Sequence, residues 1–339
     1  MGLTVSVNMS SFTLNNGYAI CGYQMILAMQ RMGIKVPFND PRAPVLLQFT
    51  QPSNWMDWQP GQYRLGYTPW ESSELPIGWL ARINETDEFW TTSDLCKEWY
   101  EEAGVKVPMK VYHHGIDHEA FAPKRRNSIN KIKFLHNGSG APRKGAQQAL
   151  DAFRAAFGNQ DDVQLTLKEM GQSGVRAKNI DGTLASPEIF NNVKVDKRDY
   201  PYEELPMIYY AHHAFVCNSA GEGFGAPGLE AIASGMPTIL NPAWAPYRDH
   251  AIAELKLETK LQRSPWQGVH PGNMYMTNFD SLVESYRYVY NNFDELSRKA
   301  YKNSLGVHRE YDWNDLTEKA FNPLIDEVVT NTNCLVKDL

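Results

Sequence analysis

The stretch CNSAGEGFGAPGLEAIASGMPTILN, residues 217–241, sets an apolar run, a glycine-rich turn, a short helical pattern and a second apolar run in immediate succession. Two short strands joined by a helix favour parallel pairing, because the helix is the crossover that returns the chain to the same end of the sheet. The same alternation recurs along the chain. Strand-like LTVSVNM meets a turn at Asn15, Asn16 and Gly17, and the helical pattern YAICGYQMILAMQRMG stops at Gly33. VLLQF and YRLGYTPW read as strands, PIGWLAR as a short helix and EFWTT as a strand. Ser93 then caps the helix DLCKEWYEEAG, and VPMKVYHH is a further strand. A chain built this way forms parallel sheets covered on both faces, the α/β class.

The polar, irregular segment GIDHEAFAPKRRNSINK interrupts the alternation. It then restarts with strand IKFLHN, helix KGAQQALDAFRAAFG, strand VQLTLKEM, helix YEELPMIYYAHH, strand AFVCNS, helix PGLEAIASG and strand PTILN. Two long helical patterns follow, around DSLVESYRYVYNNF and WNDLTEKAFNPLIDEVV. A length of 339 residues suits two domains. The expected division is 1–122, then 123–305, with a helix in 306–339 returning to the first domain.

The composition, 42% hydrophobic and 21% charged, is that of a globular protein. No run approaches the ~20 apolar residues of a membrane span, and the chain is read as cytoplasmic. MGLTVS fits the loose myristoylation pattern at Gly2, but the residues after it alternate like a first core strand. Cys21, Cys96, Cys217 and Cys334 have no paired spacing, which suggests neither disulfides nor a zinc site. Of the net charge of −6, the residues through Pro123 hold most of the excess, with 8 Lys+Arg against 13 Asp+Glu. That argues against the first half embracing a polyanion.

Gly223, Gly225 and Gly228 satisfy G-x-G-x-x-G between a strand and a helix, which brings a nicotinamide-dependent oxidoreductase into consideration. The strand that follows ends in Asn241 rather than an acid for a ribose, however, and Glu222 inside the turn would oppose a pyrophosphate. A nucleotide sugar fits the same residues better. A carboxylate accepts hydrogen bonds from two adjacent hydroxyls, so Glu230 suits the ribose diol and Glu222 the hexose. The turn residues Gly223, Phe224, Gly225 and Ala226 then face the diphosphate with backbone N–H groups at a helix start.

SAGEGFGAPGLEAIASGMPTI resembles the signature of retaining group-one glycosyltransferases of the GT-B fold, in which two glutamates are separated by seven residues, as Glu222 and Glu230 are. HHGIDHEAFAP resembles the end of that family's acceptor domain, RKGAQQALDAF its phosphate-binding strand-to-helix turn, and YDWNDLTEKA its closing helix. The resemblance covers most of residues 110–320. It implies two facing, doubly wound Rossmann-like domains with the active site in the cleft. It also implies transfer of a sugar, such as that of a UDP-sugar, to an acceptor hydroxyl with retention, and no protein nucleophile. Where the family has glycine and arginine before the lysine-glycine pair, this chain has Gly138 and Ser139, and Arg143 beside Lys144 is the replacement charge.

Lys144 and Arg143 are therefore expected to stabilise the departing diphosphate with Glu222 beside them, while Ser139 and Glu230 join the turn in binding the donor. Gly17 and Tyr18 stand where the family brings its first loop to the donor. Glu71 and His114 are the acceptor-side candidates. No D-x-D pair occurs, so neither a metal nor any other cofactor is expected. Trp55, Trp58, Trp70 and Trp79 read as core.

The acceptor stays open between a saccharide or small molecule and DNA. Compact enzymes of this kind resemble phage-encoded ones, some of which decorate hydroxymethylated pyrimidines, and Lys124, Arg125, Arg126, Lys131 and Lys133 form a basic run. An NAD(P)-dependent oxidoreductase and an inactive carbohydrate- or DNA-binding module remain the alternatives.

Overall fold

The computed structural model describes residues 3–9, 14, 16–127, 130–170, 174–178 and 182–337. Gly2 and Asn15 lie outside them, as does the side chain of Cys334. The chain packs as two units, one of residues 1–117, 264–272 and 311–339, the other of 118–263 and 273–310.

The first unit holds strands β1 (Val5–Met9), β2 (Val45–Phe49), β3 (Tyr63–Tyr67), β4 (Glu88–Thr91) and β5 (Met109–Val111), paired in that order and all parallel. On the free side of β1, single bridges join Thr4 to Lys35 and Val7 to Phe38, again parallel. The chain thus leaves β1 through helix α1 (Gly17–Arg31), lays residues 35–38 on one side of it, and returns to the other side as β2. The winding therefore reverses at β1, as a doubly wound sheet requires. Asn16 caps α1 by accepting from Ala19 N at 3.0 Å, and Ser93 caps α3 (Asp94–Glu102) by accepting from Cys96 N at 3.2 Å. Helix α2 (Trp79–Ile83) lies between β3 and β4. Trp55, Trp70 and Trp79 are buried with Phe89 and Tyr100, and Trp58 packs against them, so the tryptophans build the core.

Helix α9 (Trp313–Lys337) packs on α1. Its first residue lies over Gly115, where a Cβ would approach the Trp313 ring to 2.6 Å, so no larger residue fits there. Ile116 N donates to Tyr311 O at 2.8 Å and ties the same two segments together.

The second unit contains β6 (Ile132–Ser139), α4 (Ala146–Phe157), β7 (Val163–Met170), β8 (Ala177–Lys178), β9 (Leu184–Ala185), β10 (Val193–Asp196), α5 (Leu205–Tyr210), β11 (Ala214–Cys217), α6 (Ala226–Ala233) and β12 (Thr238–Leu240). The parallel order β10-β7-β6-β11-β12 reverses between β6 and β11. The antiparallel pair β13 (Thr259–Arg263) and β14 (Asn273–Thr277) and helices α7 (Phe279–Asn291) and α8 (Phe293–Glu310) complete it. Crevices for ligands open at such reversals, at the carboxyl ends of the strands.

The division differs from the expected one in three places. It falls at 117/118 rather than 122/123, because Ile116 is tied to Tyr311 while Phe121 packs on Tyr209 of the second unit. Residues 264–272, between β13 and β14, group with the first unit. The return to that unit comes at Tyr311 rather than at 306, because α8 continues to Glu310. Helix α8 itself was not expected: its buried face is Phe293, Leu296, Ser297, Ala300, Ser304, Gly306 and Val307, in which serine, alanine and glycine interrupt the large apolar residues.

Candidate active site

Two loops meet where β6 and β11 part. The first, after β6, makes a tight turn over Pro142–Lys144, and Gly145 at φ 79° passes the chain into α4. A Cβ on Gly145 would lie 2.4 Å from the Asn218 amide, so both the dihedral and the contact call for glycine. The second loop, after β11, is stitched to the first. Ala220 N and Ser219 Oγ donate to Arg143 O at 2.8 and 3.1 Å, and Asn218 Nδ2 donates to Gly145 O at 3.0 Å. Asn241 Nδ2 and Trp244 Nε1 each hold Ser219 O at 2.8 Å from the far side.

This stitching delivers three charges to one point. Lys144 Nζ donates to both oxygens of Glu222 at 2.6 and 2.7 Å, and Arg143 Nη1 lies 3.1 Å from Glu222 Oε2 while donating to Gly221 O at 2.7 Å. Burial would raise the Glu222 carboxyl, but Lys144 and Arg143 outweigh it and hold its pKa at about 2. Glu222 is thus an ionised partner of both cations, and the cluster carries one net positive charge. The expectation that Glu222 faces a hexose is here joined by a second role, fixing Lys144. Beneath them His136 Nε2 bonds Lys144 O at 3.0 Å, and burial lowers that ring's pKa to about 4. Ser139 ends β6 exposed.

Glu222 leads into the glycine turn. Gly225, at φ 80°, starts α6, and a Cβ there would lie 2.3 Å from the Trp244 ring. Tyr247 OH donates to Gly225 O at 2.5 Å. The Phe224 side chain is buried against Tyr247, so only its backbone is placed to meet a ligand. Gly223 and Ala226 flank these residues at the start of α6.

Glu230, in the second turn of α6, is buried and accepts from Tyr209 OH at 2.5 Å; Tyr209 in turn accepts from Asn137 Nδ2 at 3.0 Å. Burial raises the Glu230 pKa to about 7 against the lowering effect of the Tyr209 bond. Tyr209, Asn137, Ser219 and Asn218 were not singled out from the sequence. The signal available for Tyr209 was its place beside the apolar Ile208 on a helix ahead of a core strand, since a buried tyrosine needs a partner for its hydroxyl.

In the first unit Gly17 and Tyr18 open α1 beside the β1 reversal, and Tyr18 OH lies 2.9 Å from Thr68 Oγ1. Glu71 Oε2 stands 3.9 Å from His270 Nδ1, with the Trp70 ring 5.4 Å from that imidazole. His114 is buried among Phe49, Tyr67 and Trp313, and burial lowers its pKa to about 3. The basic run also changes meaning. Arg126 is buried, donating to Ser234 O at 3.1 Å and lying over the Tyr210 ring, which removes it from any polyanion-binding face.

Parallel sheets wound in this way, with paired loops at the reversal, are found in the GT-B glycosyltransferase fold. The solved structures agree. Sucrose-phosphate synthase from Thermosynechococcus elongatus matches with a TM-score of 0.66 at 15% identity, over 98% of this chain and 100% of that one. The E. coli trehalose-6-phosphate structure bound with UDP-2-fluoro glucose matches with a TM-score of 0.66 at 9% identity, over 96% and 99%. S. aureus TarM, in complex with fondaparinux, alpha-GlcNAc-glycerol and UDP, matches with a TM-score of 0.60 at 12% identity, over 91% of this chain and 58% of that one. Residues 117–252, which hold both glutamates and both cations, match the family of glycosyl transferases group 1. No curated protein matches the sequence.

Among the described residues, no helix is long and apolar enough to cross a membrane, and no group of three or more His, Cys, Asp or Glu side chains is placed to hold a metal ion.

Proposed function

We propose that the protein transfers a sugar from a nucleoside-diphosphate sugar to an acceptor hydroxyl with retention of configuration. The observation that carries this reading is the Lys144–Glu222–Arg143 cluster, fixed at the strand reversal eight residues ahead of Glu230 on α6. Breaking the sugar–phosphate bond leaves negative charge on the diphosphate, and fixed cations already in place lower the barrier without reorganising. Lys144 and Arg143 supply that charge in this reading, so transfer proceeds without a metal. Glu222 holds Lys144 in register, and Glu230 takes the ribose hydroxyls. The acceptor approaches on the face the diphosphate leaves, and a departing phosphate oxygen takes the hydroxyl proton. The UDP ligands of TarM and the E. coli structure support uridine as the base.

Gly17 and Tyr18 belong to the donor side of this reading and Glu71 to the acceptor side. With Arg126 withdrawn into the core, a saccharide or small-molecule hydroxyl is the favoured acceptor, and the chain is read as acting in the cytoplasm. The test is incubation with UDP-, GDP- and ADP-sugars, each with saccharides or hydroxymethylated DNA, with and without EDTA, followed by mass spectrometry. Transfer from one donor in both conditions is expected. Binding of NAD with neither donor hydrolysis nor transfer would return the oxidoreductase reading, and binding of a saccharide or DNA alone the inactive module.

A further inference from the structure

Glu230 has a buried neighbour that the transfer mechanism does not use. Tyr209, on α5, is fully buried with its ring against Phe215 and Phe121, so its hydroxyl has one fixed position. That hydroxyl accepts from Asn137 Nδ2 and donates to Glu230 Oε2. The direction of the chain matters. Once the amide of Asn137 donates to the phenol oxygen, the phenol proton has only the carboxylate to go to. The neutral acid can keep this bond only with its proton on Oε1, and the phenol then donates to a neutral oxygen, a weaker bond than one to a carboxylate. The relay therefore favours the ionised carboxylate at a place where burial favours the acid.

We propose that Tyr209, itself oriented by Asn137, is a positioning residue for Glu230 that favours its carboxylate form over the buried acid, with one oxygen committed and the other turned to the donor's ribose. This rests on the ribose reading given above. The remaining titratable groups packed on α6 lie elsewhere along it. Tyr247 bonds Gly225 O at the start, Cys217 of β11 lies beside Gly228, and His308 of α8 and Arg126 bond Ala233 O and Ser234 O at the end. Glu222, the nearest acid in sequence, is neutralised by Lys144. Binding a ribose diol, which donates to a carboxylate, releases whatever proton Glu230 still holds, so affinity for the nucleotide rises as pH passes through about 7.

The experiment follows Glu230 itself by carbon-13 NMR of the labelled side-chain carboxyl, assigned with Glu230→Gln, across a pH titration of the whole protein. In Tyr209→Phe the midpoint moves up by about one unit or more, the effect of losing a hydrogen bond to a charged group. In Asn137→Ala, which leaves the phenol in place but free to turn, it moves less in the same direction. Binding of UDP falls about tenfold at pH 7 in Tyr209→Phe and recovers at pH 9, because the carboxylate is restored there. An unchanged midpoint in a Tyr209→Phe protein that melts cooperatively overturns the proposal. If Tyr209→Phe does not fold, an unchanged midpoint in Asn137→Ala does the same. Comparison of UDP with 2′,3′-dideoxy-UDP separates the two readings. Equal wild-type affinity for both overturns the ribose assignment alone, since the NMR titration reads Tyr209 against Glu230 with no nucleotide present.

Discussion

The ammonium nitrogen of Lys144 sits 2.6 and 2.7 Å from the two carboxylate oxygens of Glu222, gripping the side chain from one end while Arg143 reaches it at 3.1 Å from another. A buried carboxylate held this way is costly to strand. Lys144→Ala is therefore expected to lower stability at neutral pH by about 3 kcal/mol. The sign with pH follows from the lowered pKa. Glu222 contributes stability above its unfolded value near 4.5 and loses it as pH falls toward about 2. The wild-type advantage over Lys144→Ala in urea unfolding should shrink from pH 6 to pH 3. Lys144→Met with Glu222→Gln should recover most of the loss.

Arg143 does double duty, as a cation and as the partner of Gly221 O. Arg143→Ala is expected to reduce turnover by about a hundredfold, the effect of removing one preorganised charge at a transition state. Adding Ser139→Arg should restore part of the rate, because Ser139 is exposed at the end of β6 and a guanidinium from there has room to extend. Steady-state kinetics of the single and double variants measure this. Near-normal turnover in Arg143→Ala would make its bond to Gly221 merely structural.

For Glu230 the pH sign is opposite. Its pKa is raised from 4.5 to about 7, so its contribution to stability is complete below the unfolded value and is lost as pH rises through about 7. Glu230→Gln, neutral throughout, should gain on the wild type by about 2 kcal/mol between pH 5 and pH 8 while binding UDP more weakly. A stability difference that stays flat across that range would contradict the burial argument.

Gly225 and Gly61 share a left-handed dihedral, at φ 80° and 81°, but only Gly225 has a ring in the way of a Cβ. Gly225→Ala should cost more than about 3 kcal/mol and abolish donor binding, since both strain and overpacking oppose it. Gly61→Ala should cost about 1 kcal/mol. Thermal unfolding of the pair isolates the contribution of Trp244.

Much of this was legible before any coordinates. The spacing of Glu222 and Glu230, the capping by Ser93, the tryptophan core and the parallel strands follow from local pattern, which needs no knowledge of distant partners. What escaped depends on such partners. Arg126 looks solvated within its basic run, yet it is drawn inward by carbonyls of Ser234 and His212 that are far along the chain. His114 is enclosed by rings from Phe49, Tyr67 and Trp313, which no local window contains. The relay from Asn137 through Tyr209 to Glu230 joins three elements, and none of its residues forms a motif with another.

Residues 264–272 carry a consequence for how this chain can be divided. The segment closes on itself through Ser264 N to Gly272 O at 2.9 Å, and Gly272 fits so tightly against Ser73 and Glu74 that a Cβ would approach them to 2.5 and 2.6 Å. Both strands that carry it belong to the other unit, and β14 is tied by Tyr275 N to Ala220 O, two residues from Glu222. No single cut separates the units into contiguous fragments. An exchange of donor-side cassettes between relatives would have to move Gly272 together with its seat at Ser73 and Glu74, so these distant positions are bound to change as a set.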